Sequence, residues 1–198
     1  DMTNEGTTRA DDRTQAIMRA TLEVAKELGY SKLSIEAVAA RAGVGKHTIY
    51  RRWPSKGMLF HDSLMALREP GAVFPETGDI DADLRRRMHA TVDMMTTEPW
   101  GPLFQALAGE IQHDPVVAAS LNERFFRPLE EKTAARIKRA KEQGQLSADF
   151  DPDLAQAMLA GPLYYRFLIT QEPVTHDYVD RVLDALFAGM AARPSTNR

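Results

Sequence analysis

The 198-residue sequence contains no cysteine, which excludes disulfide bonds and thiolate metal sites. It also has no long apolar run. The most apolar stretch, residues 154–169, includes Gln156 and Arg166 and is too short and too polar to span a membrane. Residues 1–12 are polar and contain no apolar core of a signal peptide. We find no glycine-rich phosphate loop and no nucleophile elbow. These absences favour a protein of a reducing cytosol and remove common signs of an enzyme.

Histidine and acidic residues offer few candidates for catalysis or metal binding. His89 and Asp93 are four residues apart, a spacing that can hold a metal ion on a helix, but no second pair supports it. Glu130 and Glu131 are typical of an exposed first helical turn rather than of a catalytic pair. We therefore predict no catalytic residues, no metal site and no cofactor, and keep an enzyme as the alternative class.

Charge is distributed unevenly along the chain. The formal net charge is −3, yet residues 13–56 carry nine Lys or Arg and only three Glu, a net +6. Residues 57–198 carry a net −6. A small basic segment joined to a larger acidic one indicates a polyanion-binding module on a carrier domain.

Apolar residues recur with the period of α-helices along nearly the whole chain, and no stretch alternates as a strand does. Helix N-caps are predicted at Ser34, Ser55, Asp114 and Thr175. Pro128 and the pair Gly161-Pro162 are expected to kink or break their helices. Residues 70–78 hold two prolines and two glycines, which is typical of a domain boundary. The prediction is an all-α protein of about nine helices in two unequal parts.

Residues 34–53 have the organisation of a helix-turn-helix. Two short helical stretches are joined by Ala42-Gly43-Val44-Gly45, and glycine tolerates the positive φ that such a turn often needs. Ile49 is predicted to hold the second helix against the first, so that the second can enter the major groove. A helix-turn-helix that binds only proteins is a further alternative. The side chains expected at base edges are Lys46, His47 and Thr48, and those expected at phosphates are Tyr50, Arg51 and Lys56.

Residues 34–56 read SIEAVAARAGVGKHTIYRRWPSK, and this segment resembles the DNA-binding signature of the TetR family of transcriptional regulators. Gly45 stands where the family commonly has serine, and His47 where it usually has a small residue. The resemblance implies a three-helix DNA-binding domain, an α-helical regulatory domain and a homodimer. The matching positions are Ala42-Gly43-Val44, Thr48-Ile49-Tyr50, Trp53 and Lys56.

These features together predict three parts: a flexible N-terminal tail at 1–12, a helix-turn-helix DNA-binding domain at 13–69 and a regulatory and dimerisation domain at 79–198. The resemblance implies a cytoplasmic, nucleoid-associated bacterial repressor. It would bind double-stranded DNA at a pseudo-palindromic operator and be released by an unidentified small-molecule effector. No membrane partner is expected.

The C-terminal part contains two candidate sets of binding residues. Sulfur-containing and aromatic side chains would give the effector an adaptable lining, although Arg166 could instead pair with an acidic group of the protein. This set is Met88, Met95, Trp100, Phe104, Phe125, Tyr164, Tyr165 and Arg166. The last two long helices carry more apolar positions than one core face requires, which favours a symmetric interface over a helix pair buried in a monomer. The predicted interface residues are Leu159, Leu163, Phe167, Val179, Leu183, Leu186 and Met190.

Overall fold

The computed structural model describes residues 2–68 and 74–190, with side chains for 9–68 and 74–189. Every regular element in these residues is helical. The α-helices are α1 (Met2–Leu28), α2 (Ile35–Ala42), α3 (Lys46–Tyr50), α4 (Lys56–Met65), α5 (Ile80–Thr96), α6 (Trp100–Glu110), α7 (Pro115–Leu121), α8 (Arg127–Glu142), α9 (Ala155–Tyr164) and α10 (His176–Met190). A π-helical turn joins α7 directly to α8, so these ten α-helices form nine continuous segments. The prediction of an all-α protein with about nine helices is confirmed. No helix in the described part of the chain is long and apolar enough to cross a membrane.

The chain divides into two compact units whose boundaries differ from the predicted ones. Unit 1 comprises Asp1–Pro70 and Glu98–Ala119, and unit 2 comprises Gly71–Thr97 and Ser120–Arg198. The segment 98–119, predicted as part of the regulatory domain, therefore belongs to unit 1. The segment joins unit 1 because its helix α6 packs against α1 and α4 in the tertiary structure. The sequence break at residues 70–78 marks only one of the places where the chain changes unit.

Unit 1 is built around α1, which packs against α2 and α4, while α2 also packs against α3. Its core is apolar and includes Ile17, Val24, Val38, Leu59 and Phe60, none more than 2% exposed. Ile17 and Val24 lie seven residues apart on one face of α1, as the helical period predicts. Burial of this face fixes the helices that hold α3.

Unit 2 combines an apolar core with a buried ion pair. Asp83 of α5 and Arg136 of α8 are 0% and 2% exposed, and Arg136 Nη2 lies 2.7 Å from Asp83 Oδ2. The hydroxyl of Thr77 donates a second hydrogen bond to Asp83 at 2.6 Å. Burial alone raises the pKa of Asp83, but the hydrogen bonds from Thr77 and Arg136 outweigh it and lower that pKa below its ordinary value. The pair therefore keeps its charges and ties α5 to α8.

The N-terminal segment 1–12 is predicted to be a flexible tail, and from Met2 onward its described backbone is helical. Helix α1 begins at Met2 and runs without interruption to Leu28. The segment contains no proline. Extending an existing helix adds one hydrogen bond per residue and avoids the cost of nucleation, so the amphipathic part of α1 can carry this polar extension.

The two prolines expected to disturb helices do so through π-helical turns. The π turn Asn122–Phe126 immediately precedes Pro128, which lies in the first turn of α8, where a missing N–H group is tolerated. Pro162 lies inside α9, and the π turn Tyr165–Thr170 follows that helix. A π turn changes the hydrogen-bond register locally and lets the helix continue past the proline. Both prolines therefore alter their helices without ending them.

Candidate nucleic-acid interface

The turn between α2 and α3 is defined by local hydrogen bonds. Ser34 caps α2, since its hydroxyl accepts a hydrogen bond from the N–H of Ala37 at 3.1 Å. Gly43 ends α2 with a left-handed backbone, φ +66°, and the N–H of Val44 then donates to the carbonyl of Ala39 at 3.0 Å. A side chain at Gly43 would strain this backbone. The predicted N-cap and the predicted helix-turn-helix geometry are confirmed.

Gly45 and His47, the two departures from the family signature, lie in contact. Gly45 is the N-cap of α3 and supplies no side-chain hydrogen bond. A Cβ atom added at Gly45 would lie 2.7 Å from both Cε1 and Nδ1 of His47. The imidazole ring therefore occupies the space that a serine side chain would need. The missing N-cap and the unusual histidine are two parts of one local arrangement.

Helix α3 buries Ile49 and leaves its other side chains exposed or half-buried. Ile49 is 0% exposed, whereas Tyr50 is 52% exposed. Lys46, His47 and Arg51 are exposed, and Thr48 is half-buried. The short helix is thus held by Ile49 and presents a predominantly polar surface. Five of the six predicted DNA-contacting residues (Lys46, His47, Thr48, Tyr50 and Arg51) lie on α3 or at its C-cap.

Lys46 is paired with an acidic residue of α2. Its Nζ lies 3.2 Å from Oε1 of Glu36, and both side chains are more than half exposed. A hydrogen bond from the Glu36 backbone and a second one from Lys46 lower the pKa of Glu36. An exposed pair of this kind contributes little to stability. A hydrogen-bond acceptor from another molecule can therefore replace Glu36 at Lys46 at small cost.

Lys56 is anchored at the start of α4. Ser55 caps this helix, accepting a hydrogen bond from the N–H of Met58 at 3.1 Å, as predicted. The Nζ of Lys56 donates to the carbonyl of Tyr30 at 3.2 Å and lies 4.4 Å from the centre of the Tyr30 ring. These contacts leave donors on the ammonium group for a phosphate and hold it in one place.

The C-terminal end of α3 is fastened to α4 through Trp53. The buried indole donates from Nε1 to Oδ2 of Asp62 at 2.9 Å. The other carboxylate oxygen of Asp62 lies 3.0 Å from Nδ1 of His61. Arg52 donates to the Thr14 hydroxyl of α1, a contact that sequence reasoning did not predict. No local pattern indicates it, because the two residues are 38 positions apart.

The residues predicted to line an effector pocket are distributed over both units. Trp100 and Phe104 belong to unit 1, where their rings stack at 5.6 Å. The other six belong to unit 2. There Met88, Met95 and Phe125 are buried, Tyr164 is half-buried and Tyr165 is 58% exposed. The pocket stays a prediction, and Met88, Met95, Phe125 and Tyr164 are its buried or half-buried members within unit 2.

Arg166 is occupied by neighbouring groups of the protein. Its guanidinium carbon lies 3.6 Å from the centre of the Tyr178 ring. Its Nε lies 3.2 Å from Glu172, and its Nη1 donates to the carbonyl of Pro173 at 3.1 Å. Of the two alternatives for this residue, the structure supports pairing with an acidic group of the protein.

The predicted dimer interface needs correction. Leu159, Leu163, Val179 and Leu183 are at most 2% exposed in the single chain, so they have almost no surface to offer a partner. Phe167 is 9% exposed and Leu186 is half-buried, while the side chain of Met190 lies outside the described residues. An apolar pattern shows that a helix has two apolar faces but not which face its own subunit covers. The exposed apolar residues near α9 are Leu154, Met158, Tyr165 and Ile169, at 54%, 38%, 58% and 70% exposure.

Two histidines of unit 2 stack on each other. The rings of His89 and His176 lie 4.2 Å apart and nearly parallel. His89 Nε2 lies 2.8 Å from Asp180, and His176 Nε2 lies 2.7 Å from Asp93. His89 and Asp93, whose spacing could hold a metal ion, thus bind different residues: His89 binds Asp180 and Asp93 binds His176. Within the described part of the chain, no group of three or more acidic, histidine or cysteine residues could hold a metal ion.

The helix-turn-helix and its basic surface are typical of a DNA-binding regulator. Comparison with family models supports this class. A model described as "Bacterial regulatory proteins, tetR family" matches residues 17–62. A second, described as "Tetracyclin repressor-like, C-terminal domain", matches residues 74–186, more than half of the chain. The chain belongs to the TetR family of transcriptional regulators.

Individual relatives resemble the chain over most of its length. An HTH-type transcriptional regulator of Bacillus subtilis, YdeS, is 28% identical and covers 96% of both chains. The DNA-binding transcriptional repressor TetR of Mycobacteroides abscessus is 27% identical, covering 89% of this chain and 92% of its own. The crystal structure of the TetR family regulator SCO0332 has a TM-score of 0.70 at 33% identity, covering 90% and 97%. The protein is therefore a helix-turn-helix transcriptional regulator.

Proposed function

We propose that the protein is a repressor that binds a pseudo-palindromic operator as a homodimer and is released by a small-molecule effector. Each subunit places α3 in a major groove. The two recognition helices are then separated by roughly 34–36 Å, one turn of DNA. The protein acts by binding alone, without catalysis, in the bacterial cytoplasm.

One observation carries the DNA-binding part of this proposal. Helix α3 is anchored by the fully buried Ile49, while Lys46, His47 and Arg51 are exposed beside it. Base edges are reached by residues near the start of a recognition helix, which here are Lys46, His47 and Thr48. Arg51 and Lys56 are then placed for phosphates, which fix the position of the helix on DNA.

Selection from a random pool of duplexes tests this assignment. The wild-type protein should enrich one pseudo-palindromic motif, and Lys46→Ala or His47→Ala should change the preferred bases. Lys132→Ala removes an equally exposed lysine from α8 of unit 2 and should leave the motif and the affinity unchanged. Recovery of the same motif with both α3 variants would show that these residues do not read bases.

The homodimer is proposed to form through an exposed apolar face near α9, defined by Leu154, Met158, Tyr165 and Ile169. Leu154 and Met158 lie about one helical turn apart, and so do Tyr165 and Ile169 within the π turn that follows α9. Gly161 lies between them in sequence, and a Cβ added there would meet nothing within 4 Å among the described residues. An apolar stripe with a small residue at its centre lets a second helix approach closely.

A charged substitution tests this interface. Ile169→Glu should give monomers in sedimentation and should abolish operator binding at the same time. Val116→Glu is the matched control, because Val116 is also a strongly exposed apolar residue, at 63%, but lies in unit 1. Dimers that persist in Ile169→Glu would disprove the proposed interface.

The effector is proposed to be a predominantly apolar molecule that binds in unit 2. Met88 and Met95 are buried on α5, and Phe125 packs edge-on against Phe126, which in turn lies edge-on to Tyr164. Polarizable sulfur and aromatic groups adapt to an apolar ligand. Genomic footprinting would identify the regulated genes, and substrates of their products can then be tested for release of the operator. Release that is unaffected by Met95→Ala and Tyr164→Ala would remove this region from the proposal.

A further inference from the structure

A cleft opens between α1 and the C-terminal end of α3. Its volume is about 380 Å³. The described residues that line it are Ala10, Arg13, Thr14 and Ile17 of α1, with Thr48, Arg51 and Arg52 of α3 and the turn that follows. Three of these seven are arginines and two are threonines, and none is acidic or aromatic. The cleft is therefore cationic and rich in hydrogen-bond donors.

The charges in this cleft are not neutralised by the described residues. Arg13 and Arg51 are exposed, and neither forms an ion pair within 9–68 or 74–189. Arg52 donates to the neutral hydroxyl of Thr14 and lies 5.7 Å from the centre of the Trp53 ring. Arg41 of the same unit, by contrast, is bound by both Glu23 and Glu27 of α1. Within the described residues, the arginines of the cleft therefore lack counter-charges, whereas Arg41, outside the cleft, has two.

Guanidinium and hydroxyl groups together match the oxygens of a phosphate. Arginine presents its N–H groups as a planar fork that can hold two phosphate oxygens at once. Because the described lining has no aromatic side chain on which a base could stack, it favours a phosphodiester backbone over a free nucleotide. Thr48 belongs both to this cleft and to the proposed base-reading set, so the occupant would lie directly beside the recognition helix.

We propose that the cleft receives one backbone phosphate of the operator, held by Arg13 and Arg52 together, with Arg51 at its edge. The contact extends the interface from the helix-turn-helix to α1 and fixes the recognition helix against the DNA strand. It rests on the proposed function, since it requires that α3 bind duplex DNA.

The test measures the affinity for the selected operator and for an unrelated duplex as a function of salt. Arg13→Ala should weaken both roughly tenfold, as expected for loss of a charged hydrogen bond. It should also reduce the slope of log K against log salt, but by less than about 0.9, the value of one phosphate contact, because Arg52 still contacts that phosphate. Arg19→Ala is the matched control. Arg19 is an exposed arginine of the same helix, but it lies in a different groove that also contains Glu23, so its removal should change neither quantity.

The double variant Arg13→Ala/Arg52→Ala distinguishes one phosphate from two. If both arginines hold the same phosphate, the slope falls by about 0.9 in the double variant and by less in Arg13→Ala, in which Arg52 still contacts that phosphate. A fall of about 1.8 would disprove the shared contact. Because Arg13 has no partner among the described residues, its removal should leave the thermal unfolding temperature unchanged.

Two further outcomes separate this inference from the proposed function. If Arg13→Ala binds like the wild type while Lys46→Ala and His47→Ala alter the preferred bases, the cleft proposal is wrong and the proposed function stands. If the wild type binds no duplex, both are wrong. Inorganic phosphate is the competing ligand. If it raised the unfolding temperature of the wild type but not of Arg13→Ala, at ionic strength matched with chloride, the site would belong to free phosphate rather than to DNA.

Discussion

Units 1 and 2 satisfy their buried polar groups in different ways. In unit 1, the buried hydroxyls of Thr21 and Ser63 donate to backbone carbonyls four residues earlier in their own helices. In unit 2, Asp83 and Arg136 pair across 53 positions of sequence, and Thr133 bonds Gln156 of another helix. Unit 2 therefore holds two helices together with a buried ion pair, whereas Thr21 and Ser63 of unit 1 are satisfied within their own helices.

The largest expected effect tests the buried pair of unit 2. Arg136→Met should lower the free energy of unfolding by about 3–5 kcal/mol, because it leaves the carboxylate of Asp83 buried without its counter-charge. Urea unfolding at neutral pH measures this loss. Lys138→Met changes an exposed residue of the same helix and should shift stability by no more than about 0.5 kcal/mol. Equal effects of the two variants would contradict a structural role for the pair.

The same pair predicts how stability depends on pH. The folded-state pKa of Asp83 lies below its ordinary value, so its contribution is present above the unfolded-state pKa. That contribution is lost as pH falls through the lower, folded-state pKa. The advantage of the wild type over Asp83→Asn should therefore shrink as pH falls below about 4, the ordinary pKa range of aspartate. An advantage that stays constant over this range would show that ionised Asp83 is not the stabilising form.

Close packing around Gly57 is expected to matter in unit 1. A Cβ added at Gly57 would lie 2.9 Å from Cγ2 of Val117, which is 0% exposed, and 3.2 Å from Glu110 Oε1. Gly57→Ala should therefore cost about 1–3 kcal/mol in the free energy of unfolding. Gly109→Ala is the control, since a Cβ there meets nothing among the described residues, and better helix propensity should stabilise it by up to about 1 kcal/mol. Stabilisation by both substitutions would mean that α4 and α7 can move apart freely.

The smallest expected effect concerns the exposed pair of unit 1. Glu36→Gln should raise the affinity for any duplex by about two- to fivefold, because it frees Lys46 and removes a negative charge near the phosphates. Unfolding should change by no more than about 0.5 kcal/mol. Glu130→Gln makes the same change of charge in unit 2 and should leave DNA affinity unaltered. If Glu36→Gln lowers the free energy of unfolding and leaves DNA affinity unchanged, the pair of Glu36 and Lys46 stabilises unit 1 as the pair of Asp83 and Arg136 stabilises unit 2.

Local signals made much of unit 1 predictable. Ser34 and Ser55 cap their helices where the sequence indicates, and Gly43 adopts the left-handed backbone of the turn. Ile49 is fully buried, as the helical period predicts. Each of these features depends on residues fewer than five positions apart, so a short stretch of sequence carries enough information to predict it.

Longer-range features were missed or misjudged for a common reason. Leu163 and Leu183 were predicted at a dimer interface but are buried inside unit 2, because an apolar face does not specify its partner. Residues 98–119 belong to unit 1 through packing that no boundary signal reveals. The polar segment 2–12 continues α1 because a helix that is already formed extends at low cost.

The amino-acid sequence by itself determined the all-α class, most helix caps, the helix-turn-helix and the family, since these depend on periodicity and on short motifs. Only the tertiary structure decided which face near α9 stays uncovered, how Asp83 finds Arg136, and that Arg13 of α1 lies in one cleft with Arg51 and Arg52. Those features join residues tens of positions apart. Their formation depends on how whole helices pack, which no local pattern encodes.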